Sequence, residues 1–132
     1  MNKEVSVFVT GRKDNEEIKT ASIGTLYEKD NFTFVSYEEK SDKETVTKCL
    51  LKFNEKTVEM ARKGSFSVKF VFEEGKENHS SYATPYGALA MDVCTKSLKV
   101  SGNVAATSID IVYDITVNKG EKEENRILIE IK

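Results

Sequence analysis

The sequence predicts an all-β protein, specifically a closed antiparallel up-and-down β-barrel of 8–10 strands. Apolar residues recur at every second position in several segments, as they do in strands with one buried face. Turn-forming residues separate these segments, and no connection is long enough to hold a crossover helix. Consecutive strands should therefore be antiparallel neighbours. Closing such a sheet on itself hides its apolar face and removes exposed edges, whereas a two-sheet sandwich, the alternative, usually needs Greek-key connections.

The alternating runs and the turns between them place the strands along the chain. The runs are Val5-Val7-Val9, Thr47-Cys49-Leu51-Phe53, Phe66-Val68-Phe70-Phe72, Leu89-Met91-Val93, Ile109-Ile111-Tyr113-Ile115-Val117 and Ile127-Ile129-Ile131. The turn signals are 11–16, 29–31, 40–43, 54–55, 63–64, 74–76, 85–86, 101–103 and 118–125, which divide the chain into ten strands. The hairpin around Asp30 and Asn31 does not fix its own register, so the inward face of the second strand stays open.

The segment 54–64 also has features of a helix, with Asn54 as an N-cap and Gly64 at the C-terminal end. We predict a strand here, because Val58 and Met60 alternate and the next strand needs a hairpin partner. A loop at 62–64 would place Gly64 at a position of positive φ. That loop gives two predicted register pairs, which are Met60 with Phe66 and Val58 with Val68.

The segment Thr84-Pro85-Tyr86-Gly87 has the residue pattern of a type I turn. If Pro85 and Tyr86 form the loop, Tyr82 pairs with Leu89 and Ser80 pairs with Met91. Paired residues share a face of the sheet. Tyr82 is therefore predicted to point inward and His79 outward.

Length and charge limit the classes of function. The chain has 132 residues, which fits one domain spanning 1–132. Its net charge is -2, and no segment collects the positive charge that nucleic-acid binding requires, so we expect no nucleic-acid partner. The N-terminal residues contain no continuous apolar run, and no segment approaches the roughly 18 apolar residues of a membrane span. We expect a cytoplasmic protein without a membrane partner.

The residues that usually carry catalysis are sparse, so we expect no enzyme, no metal site and no cofactor. The single histidine, His79, is predicted to face solvent. The acidic segments 38–39, 73–74 and 121–124 are interpreted as solvated turns. Cys49 is in phase with core residues and Cys94 is out of phase with Val93, which favours two free thiols over a disulfide.

Two segments carry a resemblance to a known family. They are Tyr82-Ala-Thr-Pro85-Tyr86-Gly87-Ala-Leu89-Ala-Met91-Asp-Val93-Cys-Thr95-Lys96-Ser97-Leu98 and Ile109-Asp-Ile-Val-Tyr113-Asp-Ile-Thr-Val117, with weaker similarity at 60–64 and 35–39. The sequence resembles the YwiB-like family of uncharacterised bacterial proteins. The resemblance implies a closed barrel of the calycin and lipocalin type, and it brings no established catalytic or binding residues.

The predicted meander assigns the turns alternately to two ends of the barrel. The first end carries the loops at 11–16, 40–43, 62–64, 85–86 and 118–125, and the second end carries those at 29–31, 54–55, 74–76 and 101–103. The second end is predicted to be plugged by Phe53, Val58, Phe72, Val93, Ile109 and, if in phase, Phe32. The interior near the first end is predicted to be smaller and more polar, with Thr45, Thr47, Ser80, Tyr82 and Ser36 as candidates.

Two hypotheses for function follow, because barrels of this size either hold one small ligand or fill with side chains. The first is a non-enzymatic barrel that binds a small molecule at the first end. Its predicted lining residues are Thr45, Thr47, Arg62, Tyr82, Tyr86 and Met91. The second is a filled barrel that binds a protein partner or forms a homodimer. Its predicted surface is the outward apolar set of Val46, Leu50, Val71 and Val112.

Overall fold

The computed structural model describes residues 2–13, 15–40, 46–64, 67–103 and 106–132. Within these ranges the chain forms strands and no helix, so none of the described residues belongs to a helix that could span a bilayer. The ten strands are β1 (Lys3–Lys13), β2 (Glu16–Lys29), β3 (Phe32–Lys40), β4 (Val46–Phe53), β5 (Thr57–Lys63), β6 (Val68–Glu73), β7 (Glu77–Thr84), β8 (Gly87–Asn103), β9 (Ala106–Val117) and β10 (Glu123–Ile131).

The strands form one antiparallel sheet in the order β6-β5-β4-β3-β2-β1-β10-β9-β8-β7. Because β1 pairs with both β2 and β10, the meander closes between its first and last strands. The remaining gap lies between β6 and β7, and we call it the seam. Two backbone hydrogen bonds between Ser67 and Ala83, of 2.9 and 2.8 Å, bridge the seam. The result is a nearly closed barrel, which confirms the predicted fold.

Alternating side chains fill the middle of the barrel. Valine, leucine and isoleucine side chains from β1, β3, β4, β5, β9 and β10 have 0% exposure there: Val7, Val35, Leu51, Val58, Ile109, Ile111, Ile129 and Ile131. Tight packing of this kind leaves few voids larger than a water molecule. Space for a ligand is therefore expected only toward the ends of the barrel.

The hairpin of β7 and β8 has the predicted register. Tyr82 pairs with Leu89 and Ser80 pairs with Met91. Tyr82 packs against the core and His79 is exposed, as predicted. Ser80 is half-buried, and its hydroxyl donates a hydrogen bond to the Lys69 carbonyl across the seam at 2.8 Å.

The segment 54–64 forms a strand, as predicted. Asn54 does not cap a helix; its side-chain oxygen accepts hydrogen bonds from the backbone N–H groups of Lys56 and Thr57, each at 2.8 Å. Asparagine commonly stabilises turns in this way. Asn54, which has the residue type of a helix N-cap, therefore stabilises the turn between β4 and β5.

The predicted register between β5 and β6 is wrong. Val58 pairs with Phe72 rather than with Val68, and Met60 pairs with Phe70. The partner Phe66 lies outside the described residues. The physical reason is the seam, because Ser67 bonds to Ala83 instead of continuing the hairpin. The shift from Val68 to Phe72 is an even number of residues, so the predicted faces are unchanged.

The face of β2 that the sequence left open is settled by its pairing with β3. Gly24 pairs with Tyr37 and Leu26 pairs with Val35, and all four are buried. Residues of β3 at even positions therefore lie on the outer face. Phe32, predicted to plug the second end only if in phase, lies out of phase, and the candidate Ser36 does not face the interior. The Lys52 ammonium lies 4.3 Å from the centre of the outward Phe32 ring.

Candidate functional site

A pocket of about 350 Å³ lies at the first end of the barrel, near the turns between β1 and β2 and between β9 and β10. We call it the first-end pocket. Its apolar lining comprises Val9, Ile18, Tyr113 and Ile127. Its polar lining at inward strand positions comprises Lys13, Glu16, Thr20, Glu39, Arg62 and Asn125. The pocket thus combines an apolar wall with a small number of polar groups, as ligand sites commonly do.

Glu39 and Arg62 form an ion pair in this lining. The Arg62 Nη2 donates to both carboxylate oxygens, at 2.5 and 2.6 Å. Strand periodicity brings the two side chains inside, because Glu39 is in phase with Tyr37 on β3 and Arg62 is in phase with Met60 on β5. The side chains are only 16% and 31% exposed. A charged pair of this kind in a barrel interior needs good geometry to offset its desolvation.

Burial and neighbouring charges set the protonation of this region. Burial lowers the pKa of Arg62, but the adjacent Glu39 and Cys49 raise it, and the net pKa lies above the ordinary value. Burial also raises the pKa of Tyr37 and the pKa of Cys49. The guanidinium is therefore charged at neutral pH, whereas the phenol and the thiol are neutral. A neutral buried thiol is a weak nucleophile.

Several buried polar atoms near the pocket have no hydrogen-bond partner among the described residues. They include Arg62 Nε and Thr20 Oγ1, which belong to lining residues. The sulfur of Cys49, a weak hydrogen-bonding group, lies beside both the Arg62 guanidinium and the Tyr37 hydroxyl. Leaving such a group unsatisfied costs about 1–3 kcal/mol. A ligand with an accepting oxygen could satisfy the Arg62 Nε, since this atom can only donate.

The structure does not bring the six predicted lining residues together around one pocket. Arg62 lines the first-end pocket, and Thr47 is half-buried directly opposite Glu39. Tyr82 is half-buried and packs against the core. Met91 is 1% exposed and belongs to the core, so it is not accessible to a ligand.

The remaining predicted residues lie elsewhere. Tyr86 is 97% exposed on the turn between β7 and β8 and does not line the pocket. Thr45 lies outside the described residues. The prediction that the site lies beside Tyr86 is therefore wrong; the pocket lies at the same end of the barrel, on the side of β1, β2, β9 and β10.

The sequence does not predict Glu39 as a lining residue, because its pattern favours a solvated turn at 38–39. That interpretation is wrong for Glu39, since β3 continues to Lys40 and the carboxylate points inward. The spacing Val35-Tyr37-Glu39 is the signal that could have identified it. Ile18 and Thr20 could not be predicted as lining residues, because the sequence does not determine which side chains of β2 face the barrel interior.

Five of the six residues predicted to plug the second end belong to the buried core. Phe53, Val58, Phe72, Val93 and Ile109 are buried there. Above them, the loops leave a pocket of about 460 Å³ whose lining includes Phe53, Asn54 and Thr107. None of the unpaired buried side-chain atoms found among the described residues belongs to its lining. The first-end pocket is therefore the better candidate for a binding site.

The predicted outward apolar surface does not form one patch. Val46 and Leu50 are exposed on β4, at 38% and 39%. Val112 lies on β9, which is five positions away in the strand order β4-β3-β2-β1-β10-β9 and thus on the other side of the barrel. Val71 and Val112 are only half-buried residues, not exposed ones. This prediction of an interaction surface is wrong.

Comparison with known proteins places the chain in a family. The model of a domain of unknown function, DUF1934, matches residues 5–129. The chain belongs to this family. The crystal structure of the YwiB protein from Bacillus subtilis is similar to the DUF1934 barrel, with a TM-score of 0.87 and 23% sequence identity. The alignment covers 99% of this chain and 92% of that chain. No curated protein matches the chain.

These comparisons confirm the YwiB-like resemblance and the barrel fold of this DUF1934 protein. At 23% identity the structural similarity shows that the two proteins share a fold, and it identifies no binding residue. The chemistry of the site therefore has to be argued from the residues of this chain.

Proposed function

We propose that this barrel binds a small, uncharged molecule in the first-end pocket, without catalysing a reaction. The observation that carries the proposal is the unpaired, buried Nε of Arg62 in the lining of a pocket of about 350 Å³. A ligand oxygen that accepts a hydrogen bond from this atom would remove an energetic cost of about 1–3 kcal/mol.

The size of the pocket favours a compact ligand. Its volume is near the lower end of the roughly 300–1,000 Å³ found for small-molecule sites. The filled core beneath it, including Val7 and Leu51 at 0% exposure, leaves no channel for a long acyl chain. The apolar wall favours a short apolar body with one polar group.

The charges of the lining favour a neutral polar group. Arg62 is already neutralised by Glu39, and a ligand carboxylate near Arg62 would also lie near the Glu39 carboxylate. Like charges at such distances repel each other. An amide, ketone or lactone oxygen can accept from Nε without that repulsion.

The chemistry around the pocket supports binding rather than catalysis. The nearby Cys49 thiol has a raised pKa, and the histidine lies on the outer face of another part of the barrel. Two free cysteines, one buried and one half-buried, favour the reducing cytoplasm as the compartment in which the protein acts.

A thermal-shift screen of small neutral carbonyl compounds, carboxylates and amines tests the proposal. A neutral carbonyl compound should raise the melting temperature, since saturation at 100 times Kd stabilises a protein by about 2.7 kcal/mol. The Arg62→Lys variant keeps the positive charge beside Glu39 and removes the Nε donor, so it should lose most of the shift.

Arg126→Lys is the matched control. Arg126 also borders the pocket, but its guanidinium is held on the outer face by Asp110, to which Nε donates at 3.0 Å and Nη2 at 2.7 Å, so this variant should keep the ligand-induced shift. No shift from any compound class, or an equal shift in the Arg62→Lys variant, would contradict the proposal.

A further inference from the structure

A second cluster of polar side chains lies far from the first-end pocket, on the outer face of β7 and β8. We propose that Glu77, His79 and Asp92 bind a divalent transition-metal ion, with Zn²⁺ as the best-fitting ion. The site adjoins the seam between β6 and β7.

The strand geometry brings the three side chains together. Glu77 and His79 are two positions apart on β7 and therefore share a face. Asp92 is the register partner of His79 on β8. One ligand atom from each residue lies within 4.8 Å of the others. Small rotations of these side chains would bring all three atoms to the roughly 2.0–2.2 Å at which Zn²⁺ is bound by nitrogen and oxygen.

The charges of the cluster favour a cation. Among the described residues, Glu77 and Asp92 have His79 as their sole ion-pair partner. The imidazole lies between them, with Nδ1 in contact with Asp92 and Nε2 3.7 Å from Glu77. Other outer-face carboxylates pair with permanently charged groups, as Asp110 does with Arg126 and Glu124 with Lys96.

The donor set identifies the class of ion. One imidazole nitrogen and two carboxylate oxygens suit Zn²⁺ and similar borderline cations, whereas Ca²⁺ and Mg²⁺ prefer oxygen ligands alone. Three protein ligands leave a fourth position of a tetrahedral ion for water or a small anion.

The surroundings of His79 provide for that fourth ligand. His79 also lines a pocket of about 250 Å³ at the seam, together with Lys69 and Asn78. Water or a small anion in this pocket would be beside the open coordination position of the metal. A bound ion would also cross-link β7, which borders the seam, to β8 through the side chains of His79 and Asp92.

Zinc titration of the untagged full-length protein, stripped of metal with a chelator, tests the proposal by calorimetry and elemental analysis. We expect one Zn²⁺ per chain. His79→Gln and Asp92→Asn each remove a direct ligand, so each should weaken binding by at least the roughly 10- to 100-fold that indirect changes near metal ligands cause.

Two controls make the result specific. Asp110→Asn makes the same chemical change at another outer-face carboxylate with a cross-strand partner, and it should leave zinc affinity unchanged. Cys94→Ser should also retain binding; Cys94 is the register partner of Glu77 and is the nearest alternative ligand in the pairing scheme. Circular dichroism of each metal-free variant checks that the barrel is folded.

The absorption spectrum of the Co²⁺-substituted protein gives an independent readout. Ligation by nitrogen and oxygen predicts visible d–d bands without a thiolate charge-transfer band. The proposal is overturned if zinc does not bind, if His79→Gln keeps wild-type affinity, or if Cys94→Ser alone abolishes binding.

Discussion

Arg62 and Glu39 place opposite charges inside a barrel whose other inward residues on β3 and β5 are Val35, Tyr37, Val58 and Met60 among others. The two side chains reach each other diagonally across β4, where Cys49 is the register partner of Arg62 and Thr47 that of Glu39. The cost of removing each charge from water is offset by its interaction with the other charge. The pair should therefore behave as a unit when it is mutated.

We predict that Glu39→Gln lowers the free energy of unfolding by roughly 1–3 kcal/mol, because it leaves a buried guanidinium without its counter-charge. The double variant Glu39→Gln/Arg62→Met should recover a large part of that loss, since it removes the uncompensated charge as well. Urea denaturation of the single and double variants measures both effects. Purely additive losses would show that the two residues do not interact.

The sequence predicted Arg62 at the first end but not its partner. Arg62 is predicted in a loop at 62–64, whereas the structure places it within β5, in phase with Val58 and Met60. Glu39 follows a similar alternation, but a second glutamate and Lys40 beside it look like a charged turn. Deciding between a turn and a strand end requires knowing that Glu39 pairs with Thr47 on β4, and that Cys49 on β4 pairs with Arg62 on β5. These pairings are properties of the folded sheet.

At the level of strands, β2 and β3 approach each other closely at Gly24. A methyl group added to Gly24 would lie 2.8 Å from the Ser36 carbonyl oxygen and 3.1 Å from the Tyr37 Cβ. Gly11, in the neighbouring strand β1, has no atom within 4 Å of the corresponding position. Crowding therefore excludes a larger side chain at position 24, whereas it does not do so at position 11, although both glycines lie within strands.

We predict that Gly24→Ala lowers the free energy of unfolding by about 1–3 kcal/mol, because the added methyl group overpacks the contact between the strands. Gly11→Ala should change it by less than about 0.5 kcal/mol. Thermal denaturation followed by circular dichroism compares the two variants with the wild-type protein. Equal melting temperatures for both variants would contradict the proposed crowding at Gly24.

Strand number and most inward faces could be predicted from the sequence, because alternation and turn residues act over a few neighbouring positions. The β7–β8 hairpin is an example, since its two-residue turn at Pro85 and Tyr86 fixes the register on both sides. The β5–β6 register could not be predicted. Ser67 leaves that hairpin to bond with Ala83, a residue with which it has no local connection.

In the barrel as a whole, the seam is where adjacent strands share the fewest backbone hydrogen bonds. β1 is paired along its length with β2 and over much of it with β10. β6 pairs along its length with β5 alone, and β7 with β8 alone. Across the seam, the backbone bridge of Ser67 with Ala83 is supplemented by the Ser80 hydroxyl, which donates to the Lys69 carbonyl. Thr95 of β8 contacts β6 as well, since its Oγ1 accepts from the Glu73 N–H at 3.3 Å.

We predict that backbone amides of β6 and β7 that face the seam exchange with solvent faster than those of β1. Amides without a partner strand open at lower free energy than amides paired on both sides. Hydrogen–deuterium exchange monitored by nuclear magnetic resonance resolves the two groups. Equal protection of β1, β6 and β7 would indicate that the seam is closed in solution.

The pairing of β1 with β10 also has a consequence for biosynthesis. Neighbouring hairpins can form as the nascent chain lengthens, but Val7 can meet Ile131 only after the final strand has left the ribosome. Joining chain segments so distant in sequence carries an entropic cost, and such contacts form slowly. Until that moment the growing polypeptide exposes the unpaired edge of β1, which can template pairing with another chain.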